Sequence, residues 1–203
     1  MLERVVAQPG RHLELADYLD DFDSRLPHAA DEGVWKLERR QSFRQPENAS
    51  WAAFDRGSWD EALRLLEAAS ADTANELATL GGMGVQAHRL RIAEEPLSPY
   101  LQWEFHALHI RHRHGEDIRV GGADLVVALE SAGELPEVVA IGSAVLYRIR
   151  YSEEGVLCGA TAHDDRGLVV ACREEIARLH RVGTPLPGYF DRHVAPLAPP
   201  SGS

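Results

Sequence analysis

The sequence predicts a single α+β domain in which helices flank a mixed or antiparallel sheet. In the first half of the chain, segments with helical spacing of apolar residues alternate with short strand-like segments. The second half carries strand-like segments separated by short turns, which is typical of an antiparallel meander. The 203 residues are 44% hydrophobic, which is enough for one large core, and no repeat or long linker divides them. We therefore expect one domain over residues 1–195, followed by a flexible tail at 196–203.

Two elements before residue 45 are predicted from the pattern of their apolar residues. Residues 11–26 place leucine and phenylalanine at helical spacing, and Pro27 ends this helix. Residues 33–43 begin with an alternation that predicts a strand, which could lie at an edge of the sheet.

Capping residues mark two further helices. A short helix follows Asn48, whose side chain can cap it, and ends at Gly57. Ser58 begins the next helix, where Glu61 completes a capping box, and the apolar spacing continues to about Leu80.

The remaining elements follow from alternating or continuous apolar segments. The predicted strands are 85–93, 118–120, 138–141, 145–151 and 156–163, and the last two form a hairpin. The predicted helices are 100–113, 124–130 and 168–182. Asp164 and Asp165 stand where they can cap the last of these helices. Pro185 and Pro187 then indicate a loose segment.

Composition narrows the class of partner and the compartment. With 32 acidic and 21 basic residues, the net charge of −11 repels phosphate backbones, so no direct nucleic-acid binding is expected. The first residues lack the apolar run of a signal peptide, and no segment approaches about 18 consecutive apolar residues, so no membrane association is expected. Cys158 and Cys172 form neither a disulfide framework nor a metal motif, which favours a reducing cytoplasm.

A concentration of charge within residues 88–120 suggests a site. Arg89 and Arg91 lie two residues apart on a predicted strand, so their side chains point to the same face. Two neighbouring guanidinium groups repel each other unless an anion or carboxylates lie between them. The pair therefore predicts either a bound phosphate or carboxylate, or a lattice of salt bridges across the sheet.

The following helix supplies a matching carboxylate. At 100° per residue, Glu104 and Arg111 fall inside its apolar arc, so both should face protein, where a buried charge needs a partner. We therefore expect a polar cleft formed by Arg89, Arg91, Tyr100, Glu104 and Arg111, with Glu116 and Arg119 at its mouth. Glu104 is the natural acid–base candidate if chemistry occurs there. A purely structural network would need the same residues.

Two histidines on this helix have a spacing that is also found in metal sites. His106 and His109 have the i,i+3 spacing of a metal chelate, but they lie on the polar side of the helix and have no cysteine nearby. We expect a solvated face there, with no metal site and no cofactor. The chain also lacks a Gly-x-Ser-x-Gly elbow and any recognisable Ser-His-Asp triad.

Four blocks of sequence, taken in order, resemble an actinobacterial family of uncharacterised proteins. The blocks are WKLERRQSFRQP, SWAAFDRGSWDEALRLL, RLRIAEEPLSPYLQWEFHALHIRHRHGEDIRV and LPEVVAIGSAVLYRIRYSEEGVLCGA. The resemblance covers about residues 10–195. Genes of that family in Streptomyces and its relatives often lie beside helix-turn-helix regulators of the Xre type, so the resemblance implies an accessory or signalling role without assigning an activity. The histidine-rich HIRHRH departs from the simpler helix usual in the family.

Two hypotheses of function follow. The first is an accessory regulatory protein that binds a protein partner, such as a helix-turn-helix regulator, and a small anionic ligand in the Arg/Glu cleft. The second is an enzyme acting on a phosphorylated or carboxylated substrate, with the paired arginines as an anion clamp and Glu104 moving a proton. A deep cavity onto which Arg89, Arg91 and Glu104 converge would favour the enzyme. The same groups paired off without a cavity, beside an exposed apolar patch, would favour the regulatory protein.

Overall fold

The computed structural model describes residues 1–200, whose eight strands form one open mixed sheet with helices on both faces. The strands are β1 (Arg11–Glu14), β2 (Val34–Glu38), β3 (Ala87–Ile92), β4 (Asp117–Gly121), β5 (Val138–Ile141), β6 (Val145–Tyr151), β7 (Leu157–His163) and β8 (Thr184–Pro185). The α-helices are α1 (Leu15–Arg25), α2 (Ala49–Asp55), α3 (Trp59–Ala68), α4 (Ser70–Gly82), α5 (Pro99–Arg113), α6 (Arg166–Val182) and α7 (Leu186–His193). Short 3-10 helices lie at Leu2–Ala7, Leu26–Ala29, Ala123–Leu125 and Val127–Leu129. The predicted α+β class with a mixed sheet is confirmed.

The strand order across the sheet is β1-β7-β6-β5-β2-β3-β4-β8. The three strands β2, β3 and β4 run parallel, and the other neighbouring pairs are antiparallel. In the parallel register, Lys36 lies opposite Arg89 and Glu38 lies opposite Arg91. Since side chains alternate along a strand, this register gathers four charged side chains on one face of the sheet.

The two faces of the parallel strands pack against different helices. On one face, Trp103 of α5 belongs to the same core as Ile118 and Val120 of β4. On the opposite face, Leu90 of β3 packs in a second core with Ile176 of α6. The charged side chains of β2 and β3 therefore lie on the α5 face, because Leu90 and its alternate neighbours occupy the other.

The first helix begins later than the sequence predicts. Residues Arg11–Glu14, expected in a helix over 11–26, form strand β1 and pair antiparallel with β7. Main-chain hydrogen bonds to a neighbouring strand thus override the local helical pattern. Within α1, Tyr18 is buried, whereas Leu15 and Leu19 remain 39% and 49% exposed, so the leucine spacing marks the core face only in part.

The strand expected over 33–43 is shorter than predicted and is not at an edge. Strand β2 covers Val34–Glu38 and lies between β3 and β5, to both of which it is hydrogen-bonded. This central position explains why Leu37 is completely buried. The polar residues after Glu38 do not continue the strand.

The helix expected from Ser58 to Leu80 is two helices, α3 and α4, which meet at Ala69. Ser58 is the N-cap residue, but its side chain makes no capping hydrogen bond. Glu61 instead pairs with Arg56 at 2.7 Å. The predicted capping box is therefore wrong.

The segment after α6 carries more regular structure than the prolines indicate. The N-cap of α6 is as predicted, since Asp165 accepts from the Leu168 backbone amide at 2.7 Å. Pro185 then lies in β8, which pairs with β4, and Pro187 lies in the first turn of α7, where a missing N–H is tolerated. Of the predicted tail, residues 201–203 lie outside the described residues. The helix expected over 124–130 is two short 3-10 turns. No helix between residues 1 and 200 is long and apolar enough to cross a membrane.

Candidate functional site

Ion pairs connect the parallel strands to α5 in the interior. The Nε atom of Arg91 donates to Oε2 of Glu104 at 2.7 Å, and Arg91 is fully buried. On the same strand, Nε of Arg89 donates to Oε1 of Glu116 at 2.7 Å, while its Nη1 donates to Glu38. The structure therefore brings the strand arginines and the helix carboxylate together away from water.

Arg111 and Tyr100 extend this arrangement along α5. Nε of Arg111 donates to Glu116, and its two terminal nitrogens donate to Glu76 of α4 at 2.8 and 3.0 Å. The hydroxyl of Tyr100 donates to Oε1 of Glu104 at 3.2 Å. The ion-pair network is formed by Arg89, Arg91, Arg111, Glu38, Glu76, Glu104 and Glu116.

The two residues expected at the mouth of the cleft lie elsewhere. Glu116 is only 1% exposed and stands at the centre of the network, between two arginines. Arg119 is opposite Leu90 in the β3–β4 register, so it projects toward α6, where its Nη1 donates to the Gly183 carbonyl at 3.2 Å. The alternation along β4 separates Arg119 from the network.

Sequence reasoning missed three charged residues of this region: Lys36, Glu38 and Glu76. The alternation along β2 was an available signal, because it places Lys36 and Glu38 on one face of that strand. Their position beside the arginines follows only from the parallel pairing of β2 with β3, which the sequence did not reveal. Glu76 reaches the network from α4 and has no local pattern that marks it.

The charges in this region balance. The carboxylates are Glu38, Glu76, Glu104 and Glu116, and the cations are Lys36, Arg89, Arg91 and Arg111. The three arginines are hydrogen-bonded to these carboxylates, so they can remain in the interior without an external ion, and Lys36 adds a fourth positive charge nearby without an ion-pair partner among the described residues. The strand arginines are thus already neutralised by carboxylates of the protein.

Burial and neighbouring charges move the pKa values in different directions. Burial raises the pKa of Glu104, and this effect exceeds the opposing influence of Arg91. Burial also acts on Glu116, but its two arginine partners outweigh it and hold the Glu116 pKa below the ordinary value. Burial, followed by repulsion from Arg89, lowers the pKa of Lys36 to about 8. Glu104 is consequently the network carboxyl most ready to take up a proton.

A cavity of about 830 Å³, called here the main cavity, lies between the network and helices α2 to α5. Its charged wall includes Glu38, Glu104 and Arg111, and its apolar wall includes Phe43, Trp103 and Tyr151. The indole nitrogen of Trp103 donates to the Ser50 hydroxyl at 2.9 Å, which fixes this ring in the wall. The network is therefore both internally paired and adjacent to open space.

At the rim of the main cavity, the side chain of Arg44 is less constrained than the charged groups of the network. Arg44 is exposed, lies over the Trp51 ring at 5.6 Å and has no carboxylate partner among residues 1–200. The amides of Gln45 and Asn48 line the same rim. Deeper in the wall, Oε2 of Glu38 is buried and accepts no hydrogen bond from the described part of the chain. These groups could orient a polar ligand.

A second cavity, of about 560 Å³, shares Arg111 with the main cavity. Lys36 lines this second cavity together with the apolar side chains of Phe22, Leu80 and Met83. Lys36 is half-buried and forms no ion pair with any described residue, so its ammonium group borders this space unpaired.

The histidines of α5 do not form the solvated face that the sequence suggested. The Phe190 ring of α7 stacks on His109 at 4.3 Å between centroids and meets His106 edge-on at 5.1 Å. On its other side His106 contacts Trp59. Burial lowers the pKa of both histidines. The expectation was wrong because α7, which covers this face, was not predicted.

Fold and site together define the class: an α+β domain with an open mixed sheet, in which a cavity adjoins a buried and balanced ion-pair network. The chain belongs to the family described as a domain of unknown function, DUF6879, which matches residues 20–191. This confirms that the chain is a member of an uncharacterised family. A comparison with curated proteins gives no match.

Proposed function

We propose that this protein is a non-catalytic regulatory protein that binds a small organic anion in the main cavity. The observation that carries this proposal is the cavity itself. Its volume of about 830 Å³ falls within the range of roughly 300–1,000 Å³ typical of small-molecule sites. Its combination of an aromatic wall with a few placed polar groups is also the usual composition of such sites.

The geometry favours the rim, rather than the network, for the ligand's negative charge. An anion that bound the strand arginines would have to displace a buried carboxylate, which leaves that carboxylate without compensation. Arg44 has no carboxylate to displace, and the amide of Asn48 is on the same rim. We therefore assign a carboxylate or phosphate group of the ligand to Arg44 and the apolar part to the wall at Trp103. Glu38 Oε2 would accept a hydrogen bond from a donor on the ligand.

The test uses 8-anilinonaphthalene-1-sulfonate, an aromatic anion whose fluorescence rises in apolar sites. Ala107 of α5 lines the main cavity, so Ala107→Leu should fill part of it and weaken dye binding several-fold. Arg44→Ala should weaken binding by roughly threefold to tenfold, because it removes the charge partner. Ala78→Leu, which adds the same side chain on the exposed surface of α4, is the matched control and should bind the dye like the wild type. Equal binding by all four proteins would contradict the proposal.

The regulatory part of the proposal rests on charge and on the family resemblance. A net charge of −11 favours a partner with a basic surface, and electrostatic complementarity speeds and orients such an association. We propose a helix-turn-helix regulator of the Xre type as that partner. Calorimetry with a purified helix-turn-helix regulator of the Xre type should show binding that weakens between low and high salt. The absence of binding at low salt would refute the partner while leaving the ligand cavity to its own test.

Glu104 supports a second candidate function, an enzyme acting on a phosphorylated or carboxylated substrate. Its carboxyl group lines the main cavity, and burial raises its pKa, which suits a general acid or base near neutral pH. In this function Arg89, which lines the main cavity, would bind the substrate anion in exchange for one of its carboxylate partners, whereas the fully buried Arg91 does not reach the cavity. Hydrolysis of p-nitrophenyl phosphate or p-nitrophenyl acetate by the wild type, lost in a folded Glu104→Gln variant, would favour the enzyme. Dye binding without turnover of either ester would favour the ligand-binding protein.

A further inference from the structure

Three side chains of the kinds that ligate metals meet on the sheet face opposite the ion-pair network. His88 lies on β3, Asp117 lies opposite it on β4, and His180 lies in the last turn of α6. One donor atom from each lies within 4.8 Å of the other two. The proposed ligand function uses none of these groups.

The separations of the donor atoms suit a tetrahedral metal ion. His88 Nδ1 is 3.2 Å from Oδ2 of Asp117, and His180 Nε2 is 3.7 Å from the same oxygen. Bonds of about 2.0–2.1 Å around tetrahedral Zn²⁺ place neighbouring ligand atoms roughly 3.4 Å apart. Only small side-chain movements would therefore bring all three atoms into coordination. Two imidazoles and one carboxylate also match the protein ligands of open, three-residue zinc sites.

The neighbouring Trp35 ring packs against both imidazoles of this cluster, while the Asp117 carboxylate remains accessible to solvent. The indole ring of Trp35 stacks on His88 at 3.8 Å between centroids and meets His180 edge-on at 5.6 Å. The side chains of His88 and His180 are 19% and 4% exposed, whereas that of Asp117 is 44% exposed. The open side of the cluster thus faces solvent, where a water molecule can supply a fourth ligand.

The proton positions are compatible with binding. A histidine ligates a metal ion as the neutral imidazole, through the nitrogen that carries no proton. The Nε2–H of His180 donates to the Asp117 carbonyl oxygen at 3.1 Å, and the Nδ1–H of His88 donates to the Asp117 carboxylate. On binding, each ring would transfer this proton to its other nitrogen, so the imidazoles lose no net proton and each gains a free lone pair toward the ion.

We propose that His88, Asp117 and His180 bind one divalent transition-metal ion of the Zn²⁺ type, with water as the fourth ligand. The ion joins the C-terminal turn of α6 to the adjacent strands β3 and β4. Because Trp35 stacks on one of the ligands, its fluorescence reports the binding.

The experiment titrates Zn²⁺ into protein that has been treated with EDTA and then dialysed, and follows binding by calorimetry and tryptophan fluorescence. We expect one ion per chain. Asp117→Asn and His88→Gln should each weaken binding by at least roughly tenfold. The double variant His106→Gln/His109→Gln keeps both proposed histidine ligands and is the matched control, which should bind like the wild type. Co²⁺ in place of Zn²⁺ should give the visible absorption of a tetrahedral site.

Absence of stoichiometric binding to the wild type would overturn the proposal, as would unchanged binding in Asp117→Asn and His88→Gln. Melting temperatures measured without metal show whether these variants are folded. If either variant is not folded, the histidine ring signals of the wild type in proton NMR show whether Zn²⁺ binds at the proposed site. Zn²⁺-dependent shifts confined to His88 and His180 support the site, and equal shifts at other histidines refute it.

Discussion

Glu116→Gln perturbs the centre of the ion-pair network and offers the sharpest test of its energetics. The carboxylate is 1% exposed and accepts from Arg89 at 2.7 Å as well as from Arg111. Glutamine has nearly the same shape, but it carries no charge and one of its two oxygens becomes a donor. The variant therefore leaves two guanidinium groups in the interior without their shared counter-ion.

The magnitude follows from the cost of leaving a buried charge uncompensated. Removing one partner of a buried pair costs about 3–5 kcal/mol, and the remaining amide oxygen places this variant near the lower end, at ~3 kcal/mol. A domain of 150–250 residues loses about 2–4 °C of Tm per kcal/mol, so the Tm should fall by roughly 6–12 °C.

Two assays check this expectation. Urea unfolding followed by tryptophan fluorescence gives the free energy of unfolding, and Glu154→Gln, at an exposed carboxylate without an ion-pair partner in the described chain, should match the wild type. The second assay repeats the urea unfolding of the variant and the wild type at a series of pH values. Because the folded-state pKa of Glu116 is held below its ordinary value, the stability that it contributes is present above that ordinary value and is lost as pH falls through the folded pKa. The gap between variant and wild type should therefore narrow in acid.

An unfolding free energy for Glu116→Gln within error of the wild type at pH 7 would refute the reasoning. A gap that stays constant as the pH falls below about 4 would refute the electrostatic part of it, because the loss would then come from shape rather than charge.

Three further predictions concern the neighbouring groups. Glu104→Gln should also lower the free energy of unfolding in urea, because Glu104 is the only carboxylate partner of the fully buried Arg91 among the described residues. The loss should be smaller than for Glu116→Gln, because Glu104 pairs with one arginine rather than two and burial disfavours its charge; a larger loss would contradict this. The rate at which acetic anhydride acetylates Lys36, the single lysine of the chain, should rise with pH with a midpoint of about 8, because burial favours the neutral amine. Peptide mass spectrometry measures this rate, and a midpoint above 10 would contradict the lowered pKa. His106→Ala/His109→Ala should lower the unfolding free energy by roughly 1–3 kcal/mol, since both rings pack on Phe190, and unchanged stability would show that these contacts contribute nothing.

Much of the fold could be predicted because local patterns and tertiary structure agree. The hairpin of β6 and β7, and the helix α5 between Ser98 and Gly115, follow from alternation, helical spacing and end signals. The failures occur where a distant segment decides the outcome. Residues Arg11–Glu14 become a strand because β7 offers hydrogen-bond partners, and β2 becomes central because β3 and β5 pair with it. Such pairings are non-local and leave no mark in a short window of sequence.

The candidate site shows the same limit. Arg91 and Glu104 could be matched because a strand arginine and a carboxylate in an apolar helix arc both need a partner. Lys36 and Glu38 were not predicted to join the site, because the sequence suggested that their strand lies at an edge of the sheet, away from the arginines. Arg119 was misplaced because its face depends on the register of β4, which the sequence does not specify.

The most direct test of the central claim, that the main cavity binds an organic anion, is fluorine NMR of protein labelled with 5-fluorotryptophan. Trp103 lies in the cavity wall, whereas Trp35 lies beside His88 in the cluster on the opposite sheet face. Addition of 8-anilinonaphthalene-1-sulfonate should shift the Trp103 signal, assigned with Trp103→Phe, and leave the Trp35 signal unchanged. A Trp103 signal that does not move, or an equal shift at Trp35, would contradict the claim.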